Sequence, residues 1–333
     1  MNAVLIERYG DNDRVQVREI DPPRIGPKDL LVRVRAASVN PLDTKIRDGK
    51  VKTLLRYSFP LVLGNDLSGE IVDIGSEVTR FAKGDAVYAR LGKERIGAFA
   101  ELAAVSESAA ARKPSNLSHV EAASLPLVGL TGWQALIEVG GLERGQKVLI
   151  HAGAGGVGTF ALQLARHLGA TVYTTASARN HELVKRLGAD VAIDYRQQRF
   201  EDVAKDCDVA FDTQGGETLV RSFACVRPGG VVVSVGGVPD AKFARAWGLN
   251  PLLVFALGLM TRKVTAAAKK RGARFEYLFM RPDGEQLVQI AALVEQGIIK
   301  PVIDRTYPLA QAKDALAYSE SGRATGKVVL EVQ

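Results

Sequence analysis

Residues 148–166 read VLIHAGAGGVGTFALQLAR, an apolar run of strand length that meets a glycine cluster and then a helical pattern. Gly153, Gly155 and Gly158 fall in the spacing G-x-G-x-x-G, which is typical of a dinucleotide-binding turn between strand and helix. The first glycine permits a tight turn, the second lets backbone approach a pyrophosphate, and the third lets the helix pack closely on the strand. The helix N-terminus then offers N–H groups and a partial positive charge to the phosphates. We therefore predict a nucleotide-binding domain; a glycine-rich turn in another kind of α/β domain is the alternative.

The composition is that of a soluble globular protein long enough for two domains, at 333 residues. Two cysteines are too few for a disulfide framework, so we expect a reducing compartment, most simply the cytoplasm. The first eight residues show no signal-peptide pattern, and the longest apolar run, 252–260, is too short to span a bilayer, so no membrane partner is expected. The net charge of +7 comes with Lys and Arg residues that we interpret as scattered. Nucleic acid is therefore not expected as a partner, and attraction for an anionic cofactor or simple solubility explains the charge better.

Strand and helix patterns alternate from residue 147 onward. Repeated β-α units of this length imply a parallel, doubly wound sheet with right-handed crossovers. The predicted elements are strands over 147–151, 171–175, 191–193, 208–212, 231–235 and 276–280, and helices over 158–168, 180–187, 199–205 and 217–226.

The first 122 residues have the texture of β-structure, with short strands and Gly and Pro turns that suggest a small, partly open barrel. The C-terminal tail is expected to return to this barrel. Its predicted elements are helices over 285–296 and 310–321, a strand that begins at 300–303, and a closing strand over 326–331.

Residues 241–275 interrupt the alternation, because 247–260 is apolar and 262–274 is basic and Ala-rich. We predict a helical excursion that packs on the sheet or on a partner subunit. A helix that lies on a membrane surface is the alternative. The sequence alone does not assign a role to this excursion.

Six short motifs run through nearly the whole chain. They are 39–45 (VNPLDTK), 64–72 (GNDLSGEIV), 84–88 (GDAVY), 153–158 (GAGGVG), 180–190 (NHELVKRLGAD) and 322–329 (GRATGKVV). With these motifs the sequence resembles the medium-chain dehydrogenase/reductase superfamily, in its zinc-free branch of quinone oxidoreductases (zeta-crystallin) and 2-alkenal or enone reductases. The resemblance implies a GroES-like β-barrel domain, 1–122 with 283–333, and a Rossmann NADPH-binding domain, 123–282, with cofactor and substrate between them. It also implies a homodimer joined through the Rossmann sheet edges.

The metal-ligand motifs of the zinc-dependent relatives are replaced in this chain. Those relatives supply ligands from a Cys and from Gly-His-Glu, whereas here the stretches 41–43 and 64–66 read PLD and GND. The four histidines, at 119, 151, 167 and 181, have no metal-ligand spacing, so we interpret them as structural or surface residues. We therefore predict no metal. Without a Lewis acid, hydride donation to an already electrophilic acceptor is favoured over alcohol oxidation.

The end of the second Rossmann strand indicates NADPH. NAD-selective domains place Asp or Glu there to bind the ribose 2′-hydroxyl, but residues 174–180 read TTASARN. Ser177 and Arg179 can instead hydrogen-bond and pair with a 2′-phosphate. The family resemblance adds Tyr195, and ordinary surface roles for Arg179 and Tyr195 are the alternative.

The resemblance implies further cofactor contacts. Thr131 matches a cofactor-contacting threonine, while Val235, Gly236 and Phe279 lie where strands end near the expected nicotinamide. The remaining predicted cofactor residues are Gly156 and Val157 of the glycine loop and Arg323 and Thr325 of the last motif.

The expected reaction is hydride transfer to the β-carbon of an α,β-unsaturated carbonyl, or to a quinone. Negative charge then develops on the carbonyl oxygen, and the resemblance assigns Lys45 as the donor near nicotinamide and substrate. Asn40 and Asp43 are predicted to hold the carboxamide and orient that lysine, and Asn65 lies in the former metal-ligand motif. Tyr57 is a site candidate or a plain barrel residue. The alternatives are a quinone reductase without enone activity and a non-enzymatic, NADPH-sensing or RNA-binding zeta-crystallin-like protein.

Overall fold

The computed structural model describes residues 1–332, and the chain forms two units. Unit 1 comprises Met1–Leu130 with Arg281–Gln333, and unit 2 comprises Thr131–Met280. The strands are β1 (Asn2–Ile6), β2 (Gln16–Glu19), β3 (Asp29–Val39), β4 (Leu61–Val62), β5 (Asp66–Ile74), β6 (Ala86–Arg90), β7 (Leu102–Ser106), β8 (Ala110–Arg112), β9 (Lys147–Ile150), β10 (Thr171–Ala176), β11 (Val191–Asp194), β12 (Cys207–Asp212), β13 (Val226–Ser234), β14 (Arg274–Tyr277), β15 (Ile303–Pro308) and β16 (Lys327–Glu331).

Helices follow most of these strands. The α-helices are α1 (Pro41–Arg47), α2 (His119–Ala123), α3 (Pro126–Trp133), α4 (Gly156–His167), α5 (His181–Arg186), α6 (Phe200–Val203), α7 (Gly216–Ser222), α8 (Ala241–Ala246), α9 (Pro251–Met260), α10 (Arg262–Arg271), α11 (Gly284–Glu295) and α12 (Ala312–Glu320). Short 3₁₀ turns span Asn12–Arg14, Glu107–Ala109, Ala178–Asn180 and Leu309–Gln311, and a π-helix spans Gln134–Val139.

Unit 1 is built around β3, which pairs antiparallel with β16, β5 and β7. The sheet order is β15-β16-β3-β5-β6-β8, and β1, β2 and β4 form a separate three-stranded sheet. Alternate residues of β3, among them Leu30, Val32 and Val34, are buried, as expected for a strand with one face on a core. The pairing of β16 with β3 confirms that the C-terminal tail returns to the N-terminal part of the chain.

The β3–β5 pairing also positions the polar residues discussed below. Ser38 lies opposite Asp66, and Asp66 lies opposite Arg90 on the next strand. Since α1 begins two residues after β3 ends, the first turn of this helix lies beside the start of β5.

Unit 2 contains a six-stranded, wholly parallel sheet in the order β11-β10-β9-β12-β13-β14. This confirms the parallel β-α alternation predicted from the sequence. Its core combines sheet residues such as Leu149 and Val232 with helix residues such as Leu219 and Val264. The four-residue helix α6 is shorter than the predicted 199–205, because Ala204 already has extended backbone torsions.

Two other predicted boundaries are wrong because of sheet pairing. The predicted helix 217–226 ends at Ser222, because the Cys225 carbonyl accepts a hydrogen bond from the Cys207 N–H and draws the chain into the sheet. The predicted strand 276–280 is shifted to Arg274–Tyr277, since its partner β13 ends at Ser234. The return strand predicted to begin at 300–303 begins at Ile303, within the predicted range.

The excursion at 241–275 is helical, as predicted, and its helices differ in burial. Val264 and Ala268 of α10 join the core of unit 2, whereas α9 has no buried residue. In the described residues no single helix has the length and apolarity to cross a membrane, although α9 and α10, bent by 61°, pass that test of length and composition together.

Candidate active site

The glycine loop of unit 2 ends in a helix that no side chain caps. Gly155 is the N-cap of α4 and makes no side-chain hydrogen bond, so the first N–H groups of α4 are not satisfied by a capping side chain. Such an N-terminus suits a phosphate. Ala152 just before it has a positive φ of 53°, an uncommon conformation for a residue with a Cβ and one that often marks functional loops.

At two of the three motif glycines a Cβ would clash with a neighbouring atom, so only glycine fits there. A Cβ on Gly158 would lie 2.3 Å from the Ala152 carbonyl oxygen, and a Cβ on Gly153 would lie 2.2 Å from the Thr174 hydroxyl oxygen. A Cβ on Gly155 would have its nearest neighbour at 3.3 Å, the Ala152 oxygen. Packing within the protein therefore explains why residues 153 and 158 are glycines, whereas a Cβ at Gly155 would have more space.

Thr175 of β10 holds this loop in place through its side chain and its backbone. The Ala152 N–H donates to the Thr175 hydroxyl at 3.0 Å, and the Gly153 N–H donates to the Thr175 carbonyl at 3.0 Å. The buried His151 ring bridges the Thr175 hydroxyl (3.2 Å) and the Ser222 hydroxyl (2.9 Å). Burial lowers the pKa of His151 to about 4, so the ring is neutral at pH 7. This supports a structural role for His151; the sequence indicated neither Thr175 nor Ser222.

The predicted 2′-phosphate residues lie together at one sheet edge. Ala176 pairs in register with Asp194, so Ser177 and Tyr195 follow the carboxyl ends of neighbouring parallel strands. Ser177 is buried and begins the 3₁₀ turn that contains the exposed Arg179. The Tyr195 side chain is 55% exposed, which leaves it open to a ligand.

The carboxyl ends of β13 and β14 bring the predicted nicotinamide contacts together. Ser234 pairs with Tyr277, so Val235 and Gly236 lie at the same sheet edge as Phe279. The Phe279 ring also belongs to an aromatic cluster, at 4.9 Å from Trp247 between ring centroids.

Asp212 fixes the neighbouring loops and was missed by the sequence analysis. Its buried carboxylate accepts hydrogen bonds from the Ser234 hydroxyl at 2.6 Å and the Gly215 N–H at 2.9 Å. Burial raises the pKa of Asp212, against these hydrogen bonds. The loops after β12 and β13 touch through backbone, since a Cβ on Gly236 would lie 2.7 Å from the Gly215 nitrogen.

Thr131 lies on α3 in unit 2 and is buried. The adjacent Gly132 faces α4, where a Cβ would lie 2.7 Å from the Phe160 ring. This contact joins the helix that carries Thr131 to the helix that begins at the glycine loop.

Three of the predicted catalytic residues form a buried polar cluster in unit 1. Asp43 accepts hydrogen bonds from the Asn40 backbone N–H and the Asn65 side-chain amide, both at 2.7 Å. The Asn40 side-chain amide donates to Asp66 at 3.0 Å, and the Lys327 ammonium donates to the Asn40 side-chain oxygen at 2.5 Å. We call Asn40, Asp43, Asn65, Asp66 and Lys327 the buried polar cluster.

Burial dominates the electrostatics of this cluster. It raises the pKa of Asp43 to about 6, although hydrogen bonds from Asn65 and the Asn40 backbone lower it. It also raises the pKa of Asp66, against the nearby Lys327 charge, and lowers the pKa of Lys327. The Lys327 amino group lies 3.9 Å from the Asp66 carboxylate, and its charge lowers the pKa of both acids, against the effect of burial.

Lys45 lies apart from this cluster. Its side chain is exposed on α1, and no hydrogen bond or ion pair joins its ammonium to another described residue. The Asn40 and Asp43 side chains bond within the cluster and make no hydrogen bond to Lys45. The prediction that they orient Lys45 therefore stays a prediction, with the fixed start of α1 as the means.

Three buried side-chain polar atoms have no hydrogen-bond partner among the described residues. They are the Tyr57 hydroxyl, the Asn65 side-chain oxygen and the Arg90 Nε atom. The Arg90 charge lowers the pKa of Tyr57, and the Asp43 charge raises it. In turn, burial lowers the pKa of Arg90, while Tyr57 and Asp43 both raise it. Burial raises the pKa of Tyr57 to about 12, so its hydroxyl keeps its proton at neutral pH. Tyr57 lies in the loop between α1 and β4 rather than in a strand.

Comparison with known proteins identifies the family. Residues 26–115 match the family model described as alcohol dehydrogenase GroES-like domain, and residues 187–330 match the model described as zinc-binding dehydrogenase. A zebrafish (Danio rerio) protein named NAD(P)H oxidoreductase RTN4IP1, mitochondrial, is 33% identical, and the match covers 100% of this chain and 91% of the relative. The chain belongs to the medium-chain dehydrogenase/reductase superfamily.

Two further matches place this superfamily member among reductases. The Arabidopsis thaliana protein named NADPH-dependent alkenal/one oxidoreductase, chloroplastic, is 34% identical over 99% of this chain and 79% of its own length. The solved structure of the quinone oxidoreductase from Coxiella burnetii has a TM-score of 0.88 at 33% identity, with 100% of this chain and 99% of that chain covered. The predicted family, the GroES-like and Rossmann fold and the assignment as an oxidoreductase are confirmed.

The buried polar cluster of this medium-chain dehydrogenase/reductase does not fit a zinc ion. Zinc in enzymes prefers thiolate, imidazole and carboxylate ligands, and the described residues contain no group of three or more such side chains that could hold a metal. The four carboxylate oxygens of Asp43 and Asp66 already accept hydrogen bonds from the cluster, from Ser38 and from the Leu127 N–H.

The last family motif, 322–329, lies in unit 1 and runs from just after α12 into the start of β16. Arg323 is exposed and Thr325 is half-buried. Lys327 follows two residues later and points into the buried polar cluster. Sequence reasoning selected the motif as a cofactor contact and missed this lysine, whose only local signal is a charge at the start of an apolar strand.

Proposed function

We propose that this protein is an NADPH-dependent, zinc-independent reductase that transfers hydride to an α,β-unsaturated carbonyl compound, an enone or 2-alkenal, or to a quinone. The observation that carries the proposal is the composition of the buried polar cluster. Amides, carboxylates and the Lys327 ammonium fill the region where the zinc-dependent relatives have metal ligands. Without a metal to acidify an alcohol, reduction of an already electrophilic acceptor is the favoured chemistry.

NADPH is favoured by the residues at the carboxyl edge of β10 and β11. Ser177, Arg179 and Tyr195 follow the carboxyl ends of neighbouring parallel strands and offer two hydroxyls and a guanidinium, a set that suits a 2′-phosphate. The uncapped start of α4 would hold the pyrophosphate, with Gly155 giving it room. The Arabidopsis relative is named as NADPH-dependent. When bound, NADPH supplies the hydride.

The side chains of unit 1 supply charge stabilisation and a proton. The exposed Lys45 ammonium has no internal partner and is free to donate to the oxygen on which negative charge develops. Tyr57 holds its proton at neutral pH and has no partner for its hydroxyl, so it can donate a hydrogen bond or a proton. Asn40, Asp43 and Asn65 are positioning residues that fix α1 and its surroundings.

The acceptor class is supported by the relatives' names. One relative is named for alkenals and enones, and one solved structure is named for quinones. Both acceptor types are conjugated electrophiles that receive hydride and delocalise the resulting charge onto oxygen.

We further propose a homodimer joined through the free edge of the unit 2 sheet, where β14 pairs only with β13 in the described residues. Cys207 and Cys225 are both buried free thiols, which favours a reducing compartment such as the cytoplasm. The zebrafish and Arabidopsis relatives are named as mitochondrial and chloroplastic.

The test follows the loss of cofactor absorbance in the near ultraviolet. Chelator-treated enzyme is given NADPH or NADH, with a small alkyl enone or an ortho-quinone as acceptor. We expect consumption of NADPH in preference to NADH, driven by the enone or by both acceptors.

The outcomes separate the parts of the proposal. Activity lost on chelation and restored by zinc would refute zinc independence. Consumption with the quinone alone would exclude the enone activity. Equal use of NADH would refute the role of Ser177, Arg179 and Tyr195. NADPH binding without consumption of either acceptor would refute the reductase itself.

A further inference from the structure

Helix α9 of unit 2 is apolar on every face and yet has no buried residue. Its exposed positions recur at helical spacing, and they are all apolar. Exposure is 80% at Leu252, 66% at Phe255, 52% at Leu259 and 64% at Met260. These are half of the eight large apolar side chains that are exposed in the described residues. A helix that is apolar all round normally lies in a protein core or in lipid, so this face requires a partner.

The charge around α9 is strongly one-sided. Residues 241–275 contain eight Lys or Arg residues and no Asp or Glu, so this stretch carries +8 while the whole chain carries +7. The basic residues are therefore clustered, contrary to the scattered distribution inferred from the sequence. Five of them have no carboxylate partner among the described residues: Arg245, Arg262, Lys269, Lys270 and Arg274.

The fold presents the cations next to the apolar face. Arg262 begins α10, with one residue between it and the end of α9. On α10 the basic side chains Arg262, Lys269 and Lys270 are exposed, while Val264 and Ala268 pack into the core. Helices α8 and α9 form a groove of about 540 Å³ that is lined by apolar side chains and by Arg245, a further cation beside α9.

We propose that α9 and the adjoining cations form a docking surface for a lipid bilayer with anionic headgroups. Leu252, Phe255, Leu259 and Met260 would enter the headgroup and acyl boundary while the cations meet the negative surface. The contact is peripheral, because α9 has 10 residues, about 15 Å of helix, and α10 is held by its buried face.

Charge complementarity selects this occupant over others. A second copy packed on α9 itself, rather than on the β14 edge, would bring the unpaired cations Arg262, Lys269 and Lys270 of one copy close to those of the other. Nucleic acid would match the cations but would leave the apolar side chains without a partner. An anionic bilayer matches both features at once.

The experiment measures co-sedimentation of the full chain with unilamellar vesicles. One set contains phosphatidylcholine alone and the other contains phosphatidylcholine with phosphatidylglycerol, each at low and high salt. We expect binding to the anionic vesicles at low salt, weaker binding at high salt, and little binding to phosphatidylcholine.

Two pairs of variants locate the contact. Phe255→Glu with Leu259→Glu should abolish binding, whereas Val288→Glu, at an exposed valine on α11, should leave it intact. Arg262→Gln with Lys270→Gln should weaken binding about 30-fold, since each cation near an anionic surface contributes about fivefold. The matched control, Lys147→Gln with Lys205→Gln, removes two exposed cations elsewhere on unit 2 and should have little effect.

The proposal is overturned if the unaltered protein fails to sediment with anionic vesicles at low salt, or if the α9 pair and Val288→Glu bind equally well. It is also overturned if the α9 pair leaves vesicle binding unchanged and instead converts a dimer to a monomer in light scattering. That result would assign the face to a second copy. Melting temperatures confirm that each variant is folded.

Discussion

The buried carboxyl of Asp43 makes the folding stability of this protein depend on pH in a specific direction. Burial raises its pKa from 3.8 to about 6. Below pH 3.8 the carboxyl is protonated in both the folded and the unfolded chain, so it has no effect. As pH rises toward 6, the unfolded chain releases the proton that the folded chain keeps, and stability falls. Above pH 6 the ionised Asp43 carboxyl lowers the free energy of unfolding by its full amount, about 3 kcal/mol for a pKa shift of this size.

Replacement of Asp43 by Asn removes this cost without emptying the site. The new side-chain oxygen can accept the hydrogen bond from the Asn40 N–H, at 2.7 Å in the parent structure. The new amide would face the Asn65 amide, but the Asn65 oxygen has no partner, so a flip of Asn65 provides the acceptor. Asp43→Asn should therefore leave stability near the parent value at pH 4 and raise it at pH 8, by about 1–3 kcal/mol.

The assay is urea unfolding at a series of pH values for the parent and for Asp43→Asn. The difference in unfolding free energy should grow between pH 4 and 6 and then level off. Asp73→Asn is the control, because the Lys83 hydrogen bond lowers the pKa of that exposed carboxyl and its replacement should not stabilise the protein at high pH. A difference that does not change with pH, or a variant less stable than the parent at pH 8, would refute the electrostatic description of the cluster.

Three further predictions address the proposed site. Lys45→Met should lower kcat about 100-fold, as loss of a donor to a developing oxyanion does, and leave the Kd for NADPH unchanged, while Lys52→Met should have little effect; steady-state kinetics and cofactor titration decide this. Arg179→Ala should raise the KM for NADPH about tenfold and leave the KM for NADH unchanged, so an equal rise for both cofactors would contradict the 2′-phosphate role. Gly158→Ala should lower the melting temperature, because its Cβ would lie 2.3 Å from a carbonyl oxygen, whereas Gly155→Ala, with 3.3 Å available, should stay folded and lose NADPH affinity in fluorescence titration.

The features that local sequence could predict are those that depend on neighbours in the chain. The glycine spacing before α4 and the alternation of β9 to β14 with helices require only nearby residues, and both are present in the structure. Element boundaries failed where pairing with a distant strand sets them. The helix predicted over 217–226 ends at Ser222 because the Cys225 carbonyl accepts a hydrogen bond from the N–H of Cys207 on β12, 18 residues earlier in the chain.

The buried polar cluster shows the same limit more strongly. Asn40 and Asp43 were selected from a motif, but their partners are set by the sheet register and by the return of the tail. The hydrogen bond from Lys327 to Asn40 joins residues 287 positions apart. The sequence pattern of the strand 326–331 does not reveal that the Lys327 side chain points into the buried polar cluster.

For the excursion at 241–275, the sequence predicted the helices but not how their burial differs. A helical segment was expected from its composition, and packing on the sheet describes α10, whose Val264 and Ala268 repeat at i, i+4. Composition alone could not show that α9, the more apolar helix, stays exposed. Burial depends on which faces the rest of the fold covers, and that information is not local.

The measurement that tests the proposed reaction most closely is the position of a transferred label. Chelator-treated enzyme would reduce a simple alkyl enone with NADPH in which both C4 hydrogens of the nicotinamide are replaced by deuterium, and the product would be analysed by mass spectrometry and NMR. The proposal predicts a saturated ketone with one deuterium at the β-carbon. An allylic alcohol with deuterium at the carbonyl carbon, or a product without deuterium, would contradict it.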